Sequence, residues 1–322
     1  MKLHGRGILF GELITRAETL EPIRVAVVHP VDRDSLLGAI EAAREGLITP
    51  ILVGPESRIK AVAAAHDLEI SGFSLIAAEH SHEAAEKAVA LARGGEVDAL
   101  LKGSLHTDEL MRAAVAPGTG LTTDHRMSHV FVVAVPRHAR PLLITDAALN
   151  VEPDLATKRD IVQNAIALAL ALGIRTPKVA VLSAVETVDP RLRSSLEAAA
   201  LAKMAERGQI TGGLVDGPLA FDDAVSPAAA RVKGIASRVA GQADVLVVPD
   251  LDSGNMLVKE LDYLGGSQAA GIVIGGRVPI ALTGRADGPL ERVASCALAA
   301  LVADASRPAP QAGDDTPDPT AG

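Results

Sequence analysis

The polar side chains of this sequence gather where apolar runs end. They are His29 and Asp32; Lys102, Ser104 and His106; Asp146 and Asn150; Glu186; Asp216; Asp250, Ser253 and Asn255; Thr283, Arg285 and Asp287. The set combines cations and neutral donors with carboxylates, and it contains no nucleophile–base signature. GxSxG, GxxxxGK[ST], HExxH and GxGxxG are all missing, which disfavours a serine hydrolase, a P-loop nucleotidase, a zinc enzyme and an ordinary dinucleotide dehydrogenase.

Two turns in the stretch 241–291 carry the densest chemistry. One is Pro249-Asp250-Leu251-Asp252-Ser253-Gly254-Asn255, and the other is Thr283-Gly284-Arg285-Ala286-Asp287-Gly288-Pro289. Each follows an apolar run and opens onto a helical pattern. A strand that ends in Gly, Ser or Asn before a helix leaves backbone N–H groups for an anion, so Ser253-Gly254-Asn255 reads as a cradle. Lys102, followed by Gly103-Ser104 and a helix start, reads as a second cradle. Arg285, between a strand end and a helix start, can clamp a phosphate with both arms of its guanidinium. Plainer roles compete: Asp287 also suits a helix cap before Gly288-Pro289, and Asp250 and Asp252 suit a turn.

Around these turns the bulk properties set limits. The chain has 322 residues, which favours two domains over one core. Hydrophobic residues make up 48% but aromatics only 2%, so the core must be Ala, Val, Leu and Ile, as in helices packed on buried parallel strands. A net charge of −9 with no dense basic block, and so few rings for stacking, argue against nucleic-acid binding. The single cysteine, Cys296, rules out a disulfide framework or a thiolate metal cluster; inside ASCALAALVA it reads as an inert core thiol. No apolar run resembles a signal peptide or approaches the ~20 residues of a membrane span, so a cytoplasmic location without membrane contact is expected.

Periodicity predicts a long βα alternation. A lead-in helix over 7–20 precedes strand 23–28, helix 32–45, strand 50–53, helix 57–66, strand 73–76, helix 81–93, strand 97–101 and helix 107–115. Strands 130–135 and 141–145 read as a hairpin. A new series follows: helix 157–172, strand 178–183, helix 190–206, strand 210–215, helix 227–240, then strands 244–249, 270–275 and 278–282. This alternation predicts an α/β protein with doubly wound, mostly parallel sheets and sites at strand C-termini. After Asp304 the composition (ASRPAPQAGDDTPDPTAG) predicts a disordered tail over 305–322.

The blocks LKGSLHT (101–107), LLITDAALNVEPDLATKRDIVQNAI (142–166), VAVLSAVETVDP (179–190), GGLVDGPLAFDDAVS (212–226) and GQADVLVVPDLDSGNM (241–256) resemble the phosphate acetyl/butyryltransferase family. The resemblance runs from about Ile23 to Val302. It is strongest to the short butyryltransferase-like branch, and stronger still to the transferase portion of proteins that also carry an enoyl-CoA hydratase segment. It implies a two-domain fold like that of isocitrate and isopropylmalate dehydrogenases. Residues 1–141 with 277–304 would form the first domain and 142–276 the second, which would form a homodimer around an interdomain cleft.

The implied reaction exchanges a short acyl group between coenzyme A, as substrate, and inorganic phosphate, with no bound cofactor and no metal. The resemblance places the catalytic arginine at Arg285 and leaves Asp287 and Glu291 as alternatives for the catalytic carboxylate. It places a further arginine, near the Lys102–Ser104 cradle, at Arg112, and these residues with Ser253, Gly254 and Asn255 are the expected substrate-binding set. Where the family has a serine before that arginine, this chain has Gly284, with Thr283 as the nearest hydroxyl. Two other readings stand beside it. One is a metal- and NAD(P)-dependent dehydrogenase of the same fold, built on Asp216, Asp222, Asp223 and Asp250. The other is a weakly active CoA-binding subunit.

Overall fold

The computed structural model describes residues 8–284 and 287–307. Its helices are α1 (Ile8–Ala17), α2 (Arg33–Arg44), α3 (Glu56–Ala65), α4 (Ser81–Arg93), α5 (Thr107–Ala114), α6 (Leu155–Ala171), α7 (Arg193–Glu206), α8 (Phe221–Val225), α9 (Pro227–Val232), α10 (Leu251–Tyr263) and α11 (Pro289–Ala305). The strands are β1 (Ile23–Val28), β2 (Ile48–Gly54), β3 (Ser74–Ala77), β4 (Ala99–Lys102), β5 (Ser128–Ala134), β6 (Leu142–Thr145), β7 (Lys178–Leu182), β8 (Leu214–Leu219), β9 (Val245–Val247), β10 (Gln268–Ile274) and β11 (Ile280–Ala281).

All eleven strands join one sheet in the order β3-β2-β1-β4-β11-β10-β5-β6-β9-β7-β8. The first five strands in this order are mutually parallel, as are the last four. Between them β10 pairs antiparallel with β11 and β5, and β5 with β6. Three antiparallel steps turn the second parallel block against the first. The strand C-termini of the two blocks therefore lie at opposite edges of the sheet. The mostly parallel α/β architecture is as predicted, with both βα series sharing one hydrogen-bonded sheet.

Local rules explain most element ends. Asp32 caps α2 by accepting from the Ser35 N–H at 2.8 Å, and Asp154 caps α6 by accepting from Thr157 at 2.8 Å. Gly46, at φ +72°, ends the α2 turn where a side chain would be strained. Two expectations shift. The strand expected at 210–215 is β8, Leu214–Leu219, because the chain still turns at Gly212, at φ +86°. The helix expected over 227–240 stops at Val232, since Gly234 takes φ +68° just beyond it.

The core forms three apolar clusters. One lies between the sheet and α1, α2, α6 and α11; a second lies under α4 and α5; a third packs α10 against β6 and β9. Alanines 84, 85, 88 and 92 line the buried face of α4, where small side chains let the helix sit close to the sheet. Cys296 is buried in α11, and burial pushes its thiol up to about 12, consistent with an inert core residue. No helix among the described residues is long and apolar enough to cross a membrane. Of the predicted tail, residues 308–322 lie outside the described residues.

Gly271, in β10 between β5 and β11, marks the tightest point near the centre of the sheet. A Cβ there would stand 2.4 Å from the Leu282 carbonyl oxygen and 2.8 Å from Nε2 of His129. Gly271→Ala should therefore destabilise the protein by about 1–3 kcal/mol, the usual range for overpacking a tight core. Chemical denaturation measures this, and an unchanged midpoint would contradict the packing described.

Candidate active site

β4 and β11 lie side by side and parallel, so Lys102 and Thr283 leave the sheet together. Lys102 is 2% exposed, and its Nζ donates to the Thr283 carbonyl at 3.4 Å and the Gly103 carbonyl at 3.5 Å. Arg292, in the first turns of α11, is 3% exposed. Its Nη1 donates to the Thr283 hydroxyl at 2.8 Å and the Lys102 carbonyl at 3.3 Å, and its Nη2 to the Gly284 carbonyl at 3.4 Å. Gly38 of α2 makes room for the stem, since a Cβ there would come within 2.7 Å of Arg292 Cδ. The two cations thus fix the exit of β11 from below.

Above that exit lies a cleft of about 680 Å³. Thr283, Gly284, Asp287, Gly288 and Glu291 form one wall, and Asn255, Val258, Lys259, Asp262 and Tyr263 of α10 form the other. Phe131, Ala148, Ala269 and Leu282 supply its apolar surface, and Thr107 at the start of α5 completes the rim. Asp287 reaches Gly284: its Oδ2 accepts from the Gly284 N–H at 2.6 Å. The N-cap of α11 is Gly288 and has no side-chain cap, so Asp287 braces the preceding turn instead of capping the helix. Opposite it, burial and then the charge of Asp287 hold the Asp262 carboxyl above its ordinary range.

The sequence-derived candidates divide into three groups. Asp287, Glu291, Thr283 and Asn255 line the cleft, although Thr283 is buried and its hydroxyl is engaged by Arg292. Arg285 lies outside the described residues.

The remaining candidates sit elsewhere. The Ser253 N–H and Oγ both bond Asp250 Oδ1, at 2.8 and 2.6 Å, and the Gly254 N–H bonds the Asp250 carbonyl at 3.2 Å. The helix start expected to cradle an anion is thus satisfied by its own cap. Gly254 serves packing, because a Cβ there would meet Val248, Ala147 and the Asp146 carbonyl within 2.9 Å. The second expected cradle is engaged likewise: the Gly103 and Ser104 N–H groups bond the carbonyls of Val28 and His29, both at 2.9 Å. Arg112 is exposed, stands 3.6 Å from Asp108 and lines a groove between α4 and α5; it is not among the residues lining the cleft.

Sequence reasoning missed three residues. Arg292 opens an otherwise apolar helix, which was the available signal. Asp262 follows Asn255 and Val258 at helical spacing on one face of α10. His129 has no signal beyond its place in an apolar strand. Its ring is buried on the floor of the cleft, edge-on to Phe131 with centroids 4.4 Å apart, and its backbone N–H donates to Asp146 at 3.2 Å. Asp146 also accepts from the N–H groups of Ala148, Leu149 and Asn150, which shapes the loop against α10.

A large mostly parallel sheet, a cleft beside its antiparallel centre and a floor fixed by buried cations define an α/β enzyme whose acidic and hydroxyl groups face an open cleft. Residues 76–300 match the family model described as phosphate acetyl/butaryl transferase, a span that contains every residue lining the cleft. The chain belongs to that family, and it is a transferase. It is 58% identical over 300 residues to a phosphate acetyltransferase of Rhizobium meliloti, covering 93% of this chain and 95% of that one. A phosphate butyryltransferase of Clostridium acetobutylicum is 40% identical over 294 residues, covering 91% and 98%. Among solved structures, a branched-chain phosphotransacylase from Enterococcus faecalis V583 superposes with a TM-score of 0.76 at 29% identity, covering 87% and 99%. The four aspartates considered for a dehydrogenase metal site are engaged separately: Asp216 accepts from the Gly217 N–H at 2.8 Å, Asp222 and Asp223 pair with Lys233 at 3.1 and 3.0 Å, and Asp250 caps α10.

Burial drives the His129 imidazole down from 6.5 to about 4. Its native pKa is depressed, so below pH 6.5 the unfolded chain binds a proton that the native ring refuses. Stability should fall as pH drops from about 6.5 to about 4, where the native ring titrates too. Denaturation of wild type and His129→Phe across this window should show a shallower pH slope in the variant. Equal slopes would contradict a buried neutral ring.

Proposed function

We propose that this chain interconverts acyl-CoA plus inorganic phosphate with acyl phosphate plus CoA, by direct attack within a ternary complex. The observation that carries the reading is the cleft, whose Asp287/Glu291 wall stands inside the family match. In one direction the CoA sulfur attacks the carbonyl carbon of the acyl phosphate. A C–S bond forms, the C–O bond to phosphate breaks, and phosphate leaves with the electron pair. In the other direction a phosphate oxygen attacks the thioester and the thiolate leaves. No protein nucleophile is needed, and much of the acceleration comes from holding two substrates in register.

A thiol of ordinary pKa ~8.5 needs a base at neutral pH. Asp287 already accepts from the Gly284 N–H, at 2.6 Å, and is engaged in holding that segment. Glu291, one helical turn further and on the same wall, is therefore the proton acceptor in this proposal, with Asp287 as the brace of the turn. Arg285, which the family resemblance makes catalytic, would meet the phosphate and the developing oxyanion.

The two bodies that bring the substrates together are residues 1–141 with 277–304 and residues 142–276. The second carries Met256, Tyr263 and Leu264, all largely exposed apolar side chains, which support a homodimer formed through that half. A cytoplasmic location, where CoA and phosphate are at hand, belongs to the same proposal.

Thiol release from acyl-CoA in the presence of inorganic phosphate tests the reaction and its residues. Arg285→Ala should lower turnover at least ~10²-fold, the scale of losing one transition-state donor. Unchanged turnover would remove Arg285 from the mechanism. Glu291→Gln should cost roughly 10²–10⁴-fold, whereas Asp287→Asn, whose amide oxygen still accepts from Gly284, should stay within about tenfold of wild type. The reverse ranking would make Asp287 the base.

Gly284→Ser tests the reading of a weakly active subunit. A serine Cβ would stand 2.9 Å from Asp287 Oδ1, so the brace must swing away. Turnover should therefore fall; a sharp rise would mean that the glycine holds activity down.

A further inference from the structure

We propose that Phe131 is the wall that limits the length of the acyl group the cleft accepts. This deepens the acyl-transfer reading above and rests on it. The cleft is chemically divided. Asn255, Asp287 and Glu291 present polar atoms beside the β11 exit, where charge would develop in the proposed reaction. Phe131, Val258, Ala269 and Leu282 form a continuous apolar surface adjoining it. An acyl carbon held at the polar edge must send its alkyl chain somewhere, and this surface is contiguous with that edge. Phosphate and the charged parts of CoA would be desolvated there without partners, so the alkyl chain is the substrate part that fits.

Phe131 sits in the middle of β5, opposite Gly271 of β10 and Ile144 of β6. Strand alternation puts it on the same face as His129, and the two rings meet edge to face at 71°. Gly271 leaves the space into which the His129 ring fits. The ring under Phe131 is fully buried and packs edge-on against it, which fixes the position of both. The glycine, the histidine and the phenylalanine thus form a rigid stack whose top is the cleft floor. Across it, Ala269 contributes the smallest side chain of the surface, in register with Val133. The room left for an alkyl chain is set by one large residue that cannot retreat and one small residue that leaves space.

The test is thiol release with inorganic phosphate across acetyl-, propionyl-, butyryl- and hexanoyl-CoA, comparing kcat/KM ratios in wild type, Phe131→Ala and Ala269→Leu. Each methylene in a shaped pocket is worth roughly 10–200-fold in discrimination. Phe131→Ala should raise the hexanoyl-to-acetyl ratio at least ~10-fold, and Ala269→Leu should lower the butyryl-to-acetyl ratio by a similar factor. The conservative Phe131→Tyr should keep the wild-type ranking. Ratios that stay within about twofold in both size-changing variants, including a uniform rise in KM for every acyl-CoA, would overturn the proposal; a uniform rise would place the pantetheine arm on this surface instead. Absence of phosphate-dependent thiol release in the wild type, with any acyl-CoA, would refute the underlying acyl-transfer reading.

Discussion

Two cations buried beneath the sheet edge, Lys102 and Arg292, hold the exit of β11 in place. Both are almost completely removed from solvent, and both donate to main-chain oxygens of Thr283 or its neighbours. A buried charge is tolerated only where hydrogen bonds replace its lost water, and here the replacements are the carbonyls of the segment they hold. The consequence is a fixed position for Thr283 and Gly284, to which Asp287 bonds, beside Glu291 on the same wall of the cleft. α2 takes part as well, since Gly38 is what lets the arginine stem pass.

The sheet topology explains why the site forms where it does. Reversal through β10, β5 and β6 lets α10 start near Asp146, at the edge opposite the β11 exit, and run back across the same face. The cleft is the space left between that helix and the β11 turn. Its floor is the antiparallel centre, where Gly271, His129 and Phe131 stack. The β11 exit comes from the first parallel block, α10 from the second, and Phe131 and Ala269 from the antiparallel centre, so the surfaces of the cleft meet only in the folded chain.

Much of this was legible in the sequence. The hairpin of β5 and β6, the alternation of strands and helices, and α4 with its bounds at Ser81 and Arg93 follow from periodicity and stop signals. Misplaced elements lie where glycine conformation overrides an apolar run, at Gly212 and Gly234. The site was legible only in its local parts. A strand end rich in Ser, Gly and Asn signals free amides, but Asp250 engages those of Ser253 and Gly254, and the Val28 and His29 carbonyls engage those of Gly103 and Ser104. Arg112 lies on the helix that was expected, yet it lines a groove between α4 and α5 and not the cleft. Arg292 and Asp262 matter because of neighbours that are distant in the chain, and no window of sequence brings those neighbours together.

In the proposed reaction the cleft binds both substrates at once and passes the acyl group directly between them. Initial rates measured while acyl-CoA and inorganic phosphate are varied together address it most directly. Direct transfer predicts double-reciprocal lines that intersect, and no exchange of labelled CoA into acyl-CoA when phosphate is absent. Parallel lines with phosphate-independent exchange would reveal a covalent acyl-enzyme, and would contradict the account.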